Sequence, residues 1–297
     1  EAQRNGDWGP ETLTDANGIL FETRDELGRY NYDGPGAAID LGWTPKEDHT
    51  GHLNLEYNKT NSTQTVLSSR RAEDNDVGLE RGENLETRFT GGENEWNAKI
   101  GADYEFPFGP TALNGKLKTI GYYRFEHSPT RSKFNVFELD GTQIDGSIFD
   151  RVADEAEAIA RTEYSWAKTP GHDWTLGVEG AFNFLDIESA LQVFDGNAFV
   201  DEPLDGASSR VEERRAETTL THNRPLSTKW DLQLSGGVEY SKLQQTGGAA
   251  QTLSRDFVRP KGFILATYKP AEGTTLRFRG EREVGQLSFF DFISSVD

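Results

Sequence analysis

Apolar and polar residues alternate with period two over long stretches of this chain. Trp96, Ala98, Ile100, Ala102, Tyr104 and Phe106 are interleaved with Asn97, Lys99, Gly101, Asp103 and Glu105. One face of such a segment is apolar and the other polar or charged, which is the signature of a strand and not of a helix. The pattern returns as Trp230, Leu232, Leu234, Gly236, Val238 and Tyr240, and again as Trp174, Leu176, Val178, Gly180, Phe182 and Phe184. Leu53, Leu55 and Tyr57 give a shorter copy, as do Leu117, Thr119, Gly121, Tyr123 and Phe125. Further strands are predicted around 37–43, 85–89, 158–166, 216–220, 257–268 and 276–284.

The connections between these segments are of two kinds. Short ones, rich in Pro, Gly and polar residues, fall near 44–48, 107–114, 168–173, 224–229 and 270–274. Between them lie longer, acidic, poorly periodic stretches that read as loops near 68–84, 128–154, 195–210 and 245–254. The recurring unit is a long hairpin, repeated at intervals of about 45 to 64 residues without any residue-level repeat. Within 149–159, Phe149, Val152, Ala156 and Ile159 approach helical spacing, so a short loop helix at most is expected there, in competition with a strand that starts near Ala156 and runs to Trp166. Trp43, Trp166, Trp174 and Trp230 all lie within a few residues of a short turn. With Phe106 and Tyr268 they form a predicted aromatic girdle of the kind that sits between hydrocarbon and water.

Composition narrows the fold class. Only 34% of residues are hydrophobic, yet 11% are aromatic and 31 are Gly. No stretch approaches the ~18 apolar residues of a membrane-spanning helix. A transmembrane barrel is compatible with that, because its strands need apolar side chains on one face only. The expected fold is therefore all-β, an antiparallel up-and-down transmembrane β-barrel wall of about ten or eleven strands running through 1–297. The 31 basic against 50 acidic residues give a net charge of −19, which argues against nucleic acid. With no cysteine there is neither a disulfide scaffold nor thiol chemistry. The chain also lacks methionine and opens without a signal-peptide pattern, which reads as a mature chain or a piece of a longer one.

Signatures of chemistry fail on inspection. The segment from Gly109 to Lys116 has one residue too many for a P-loop and lacks its Ser/Thr, and it reads as a turn. His49 and His52 flank a turn without a zinc-ligand pattern. The acidic run at 73–76 lacks the register of a calcium loop, and no nucleophile elbow is present. No enzymatic activity, cofactor or metal is expected. The polar positions interleaved in the strands are candidates for a lumen, notably Arg124, Glu126, Arg161, Glu163, Arg277, Arg279, Glu281 and Glu283. For each, a cross-strand charge pair competes with a direct ligand contact.

The run 275–292, TLRFRGEREVGQLSFFDF, resembles a barrel segment of TonB-dependent outer-membrane receptors. The stretch 161–166, RTEYSW, and the turn entry Tyr268-Lys269-Pro270 are similar to strand ends in the same family. The resemblance implies part of a barrel of about 22 strands, plugged by an N-terminal domain. It also implies the bacterial outer membrane, with its lipid and lipopolysaccharide, as the surroundings. Function would then be uptake of a scarce small-molecule ligand, such as a metal chelate, vitamin or carbohydrate, energised through TonB. The sequence departs from the family in showing no plug, no TonB box and no final strand ending in an aromatic residue. Another porin or channel, or a soluble antiparallel β module for binding or adhesion, remains an alternative.

Overall fold

A computed structural model of the chain describes residues 2–73, 84–204, 206–247 and 253–285. Its strands are β1 (Ala2–Thr14), β2 (Leu20–Asp33), β3 (Gly36–Trp43), β4 (Thr50–Ala72), β5 (Leu85–Pro107), β6 (Lys116–Glu138) and β7 (Gln143–Thr169). They continue as β8 (His172–Phe194), β9 (Phe199–Glu202), β10 (Ser208–Pro225), β11 (Trp230–Gly247), β12 (Leu253–Tyr268) and β13 (Leu276–Arg282). All belong to one sheet, and every ladder is antiparallel; all join chain neighbours except β2 with β4 and β8 with β10. β2 and β3 pair with successive parts of β4, and β9 and β10 with successive parts of β8, so among the described residues the wall has eleven positions. The sole helical element among the described residues is the 3-10 turn Thr111–Leu113, and no helix is long and apolar enough to cross a membrane.

The ladders are staggered. Followed straight across the sheet, Trp43 meets Gly51, Tyr104, Thr119, Thr162, Val178, Thr218, Val238 and finally Pro260. Trp43 ends its strand, whereas Pro260 lies eight residues short of Tyr268, the end of its own. Eight ladders therefore accumulate eight residues of offset. One residue of rise (~3.3 Å) per interstrand step (~4.8 Å) inclines the strands by about 35°, within the range for closed and transmembrane barrels. Among the described residues β1 and β13 are not paired with each other.

The strands are longer than the periodicity predicts. The expected loop at 128–154 is instead two strand ends joined by a tight turn, paired from Phe137↔Gln143 onward. The expected helix at 149–159 lies wholly within β7. Residues 68–72 of another expected loop extend β4, while 74–83 lie outside the described residues. The stretch 195–210 contains β9 and the start of β10; 245–254 contains the end of β11 and the start of β12, with 248–252 outside the described residues. β1 and β2 were not foreseen at all. The reason is common to all of these: where both faces of a strand are polar, no alternation marks it.

Three far hairpins turn on the same device. Asp15 Oδ1 accepts the backbone N–H groups of Asn17 at 2.8 Å and Ile19 at 2.9 Å. Asp140 Oδ1 accepts that of Thr142 at 2.8 Å, and Asp195 Oδ1 those of Asn197 and Ala198, both at 2.9 Å. Gly18, Gly141 and Gly196 follow with φ of 82°, 88° and 99°, the left-handed conformation such turns require. The N–H groups of Ile19, Thr142 and Ala198 are the main cause holding the three carboxyls below their ordinary pKa. A depressed folded pKa gives stability that is complete above the unfolded value of about 3.9 and is lost as pH falls through the folded one. The double variant D140A/D195A is therefore expected to unfold at lower urea than the parent at pH 7, with the gap narrowing as the pH falls below about 3.9.

Candidate functional site

Pairing register divides the wall into two faces. On one face β5, β7, β8, β11 and β12 each carry an uncharged run spanning ten residues, at 96–106, 156–166, 174–184, 230–240 and 258–268. The next residue on that face, away from the short turns, is Asn94, Asp154, Asp186, Lys242 or Asp256. Ten residues of rise at a 35° tilt make a band about 27 Å tall, matching the ~25 Å apolar band of outer-membrane barrels. The large side chains of this outer face lie open: Val258 is 69% exposed, Ile264 56%, Ile39 54% and Val238 48%.

All six predicted girdle residues, Trp43, Phe106, Trp166, Trp174, Trp230 and Tyr268, lie on this face at the edge of the band beside the short turns. The rings interlock in a row: Trp166 stacks on Trp174 at 6.2 Å, Trp174 on His222 at 3.9 Å and Trp230 on Tyr268 at 4.4 Å. The opposite edge has a second row that sequence reasoning missed. Tyr57, Trp96 and Phe125 pack in series with centroids 6.3 and 5.3 Å apart, followed by Phe184 and Tyr240. A signal existed in the spacing, since Trp96, Phe184 and Tyr240 each stand ten residues from Phe106, Trp174 and Trp230.

The inner face is polar and packed. Ser241, Leu185, Ile187 and Val211 are at most 1% exposed, and Glu239 and Glu213 are also buried. In a single-layer sheet, burial on one face and exposure on the other mean that the wall curls around the inner face. Arg161, Glu179, Glu217, Glu239 and Arg259 stand in one register row across β7, β8, β10, β11 and β12. Three carboxylates directly opposite one another would repel, so cations bridge them. Arg215 meets Glu179 at 3.1 Å, and Arg161 reaches both Glu163 at 2.5 Å and Glu179 at 3.6 Å. Arg259 holds Glu239 at 2.9 Å and Glu213 at 3.7 Å, while Lys261 joins Glu217 at 2.7 Å and also pairs with Glu239.

The predicted lumen residues all fall on this face, in three groups, the last of which adjoins the central row. Arg124 pairs with Glu126 and, at 3.5 Å, with Glu155. Arg161 and Glu163 join the central row. Arg279 pairs with Glu281 at 2.6 Å, and Glu281 and Glu283 line a 270 Å³ cleft with Glu217 and Lys261. Arg277 lies on the same face beyond them. Sequence reasoning did not single out Arg215, Arg259, Lys261, Glu213 and Glu217. Their spacing of two within strands was the available sign.

Glu239 is the hub of the row, so Glu239→Gln leaves two lumen cations underpartnered and is expected to cost about 3 kcal/mol. The more open Glu281→Gln should cost less than about 1 kcal/mol. Urea titration of the refolded chain in detergent micelles would measure both.

No protein-family model and no curated protein matches the chain. Among solved structures it is similar, at a TM-score of 0.30 and 14% identity, to the translocator domain of autotransporter NalP from Neisseria meningitidis, over 95% of this chain and 81% of that one.

Proposed function

We propose that this chain forms wall of a β-barrel in a bacterial outer membrane. The observation that carries the reading is the outer band, which on β5, β7, β8, β11 and β12 is uncharged over ten residues and is bounded on both edges by aromatic rows, with Arg282 at the β13 edge as the outward charge at its level. An exposed apolar surface spanning many strands is unsustainable in water, where patches rarely exceed a few hundred Å². In lipid it is the required surface, and the antiparallel ladders satisfy the backbone groups that lipid cannot. The polar inner face then lines the lumen.

Within that class, the likeness of 161–166 and of 275–292 to TonB-dependent receptors supports a part in ligand uptake energised through TonB. Residues 286–292 of that run lie outside the described residues. A porin or other channel is the alternative. Conductance in planar bilayers separates the two, since a channel passes ions steadily and a plugged receptor does not.

The absence of cysteine makes the membrane reading testable without background. Single cysteines at Val238, Ile264 and Leu176 are expected to resist a charged maleimide in vesicles, whereas cysteines at Thr219, Ser235 and Gln233 react. Equal labelling of the two sets would count against the reading. Ile264→Arg, near mid-band, is expected to destabilise the inserted chain by about 2–4 kcal/mol. Thr219→Arg, on the opposite face, should change stability by less than about 1 kcal/mol by comparison.

A further inference from the structure

A groove of about 970 Å³ lies on the outer face and not in the lumen, crossing β4 to β8. Most of its lining residues have the parity of the apolar band, and Asn61, Thr90, Arg131, Asp150, Glu188 and Ala190 all point outward by register. Gly92 forms part of the floor, where a Cβ would stand 3.0 Å from the Ser62 carbonyl oxygen. The groove therefore opens toward whatever surrounds the barrel.

Its height identifies the surroundings. The lining residues of β4, β6 and β8 begin four positions beyond Tyr57, Phe125 and Phe184 of the second aromatic row, while on β5 the lining starts lower, at Asn94, two positions beyond Trp96, and continues up to Thr90. At a 35° tilt four residues rise about 11 Å above the hydrocarbon edge. The headgroup layer of an ordinary phospholipid bilayer reaches only about 5–8 Å beyond that edge. A saccharide headgroup extends to that height, and a phospholipid headgroup does not. The chemistry agrees with the height. Asn61, Thr63, Thr90 and Asn94 supply amides and hydroxyls for sugar hydroxyl groups. Arg131 remains 64% exposed although Asp150 lies 3.6 Å away, which leaves its guanidinium face open to a phosphate.

We infer that this groove binds the phosphorylated saccharide headgroup of an outer-leaflet glycolipid, with Arg131 on a phosphate and the amide and hydroxyl side chains on the sugar. The inference rests on the membrane reading above and gives it an orientation, with the far hairpins at the outer surface.

The test uses the whole chain reconstituted in phosphatidylglycerol vesicles, titrated with purified rough lipopolysaccharide and followed by thermal unfolding. The parent chain should gain stability with lipopolysaccharide and gain less with its dephosphorylated form. Ala190→Trp, which fills the groove from an exposed position, and Arg131→Glu should each weaken the response about tenfold, while unfolding like the parent without lipopolysaccharide. An unchanged response in both variants, in chains that insert normally, would overturn the site and leave the membrane reading standing. Failure of the parent to resist alkaline extraction from the vesicles would overturn both. Equal response to added phosphatidylglycerol would also refute the saccharide assignment.

Discussion

Register parity holds this structure together. Side chains alternate with period two, so a slip of one residue in any ladder would carry every apolar side chain of that strand from the outer face to the inner one. Across the wall the apolar set stays on one side, and the register shifts occur only at 13/14, 136/137 and 167/169, each at a hairpin end. The tight turns sit where an irregularity costs least, outside the ten-residue band. Band height, aromatic rows and the inner charge network all follow from this constraint, because each is defined by which face a residue occupies.

The two faces solve different problems. Outside, uniformity matters: the five ten-residue runs carry no charge, as the proposed contact with hydrocarbon requires. Inside, the polar side chains must neutralise one another at close quarters. Glu179, Glu217 and Glu239 stand opposite each other because their strands are in barrel register, and Arg161, Arg215, Arg259 and Lys261 make that arrangement tolerable. The pairs are shared and branched, so removing one carboxylate disturbs several strands at once. The buried inner Leu185, Ile187 and Val211 lie beyond this row, toward the far hairpins, where the wall closes over apolar side chains.

What could be read in the sequence was the one-sided apolar band. Alternation from Trp96 to Phe106, or from Trp230 to Tyr240, is visible because one face must be apolar throughout. The aromatic row beside the short turns was visible because Trp clusters next to Pro and Gly. Beyond the band, both faces of a strand meet polar surroundings, so 128–138 and 143–154 lose their alternation and resemble a loop. The hairpin signal was nevertheless there in Asp140-Gly141, and again in Asp195-Gly196. The inner network was legible as a list of polar positions but not as a set of partners, since pairing depends on stagger, which no single strand carries.

The eleven wall positions of the described residues have a further consequence through direction alone. Successive strands reverse, so β1 and β13, first and last of an odd set, point the same way. Joined to one another, they would form a parallel ladder in an otherwise antiparallel cylinder. An all-antiparallel closure requires an odd number of additional strands between those two edges, whichever polypeptide supplies them. The handedness of counting, and not any side chain, thus fixes the parity of what completes the barrel.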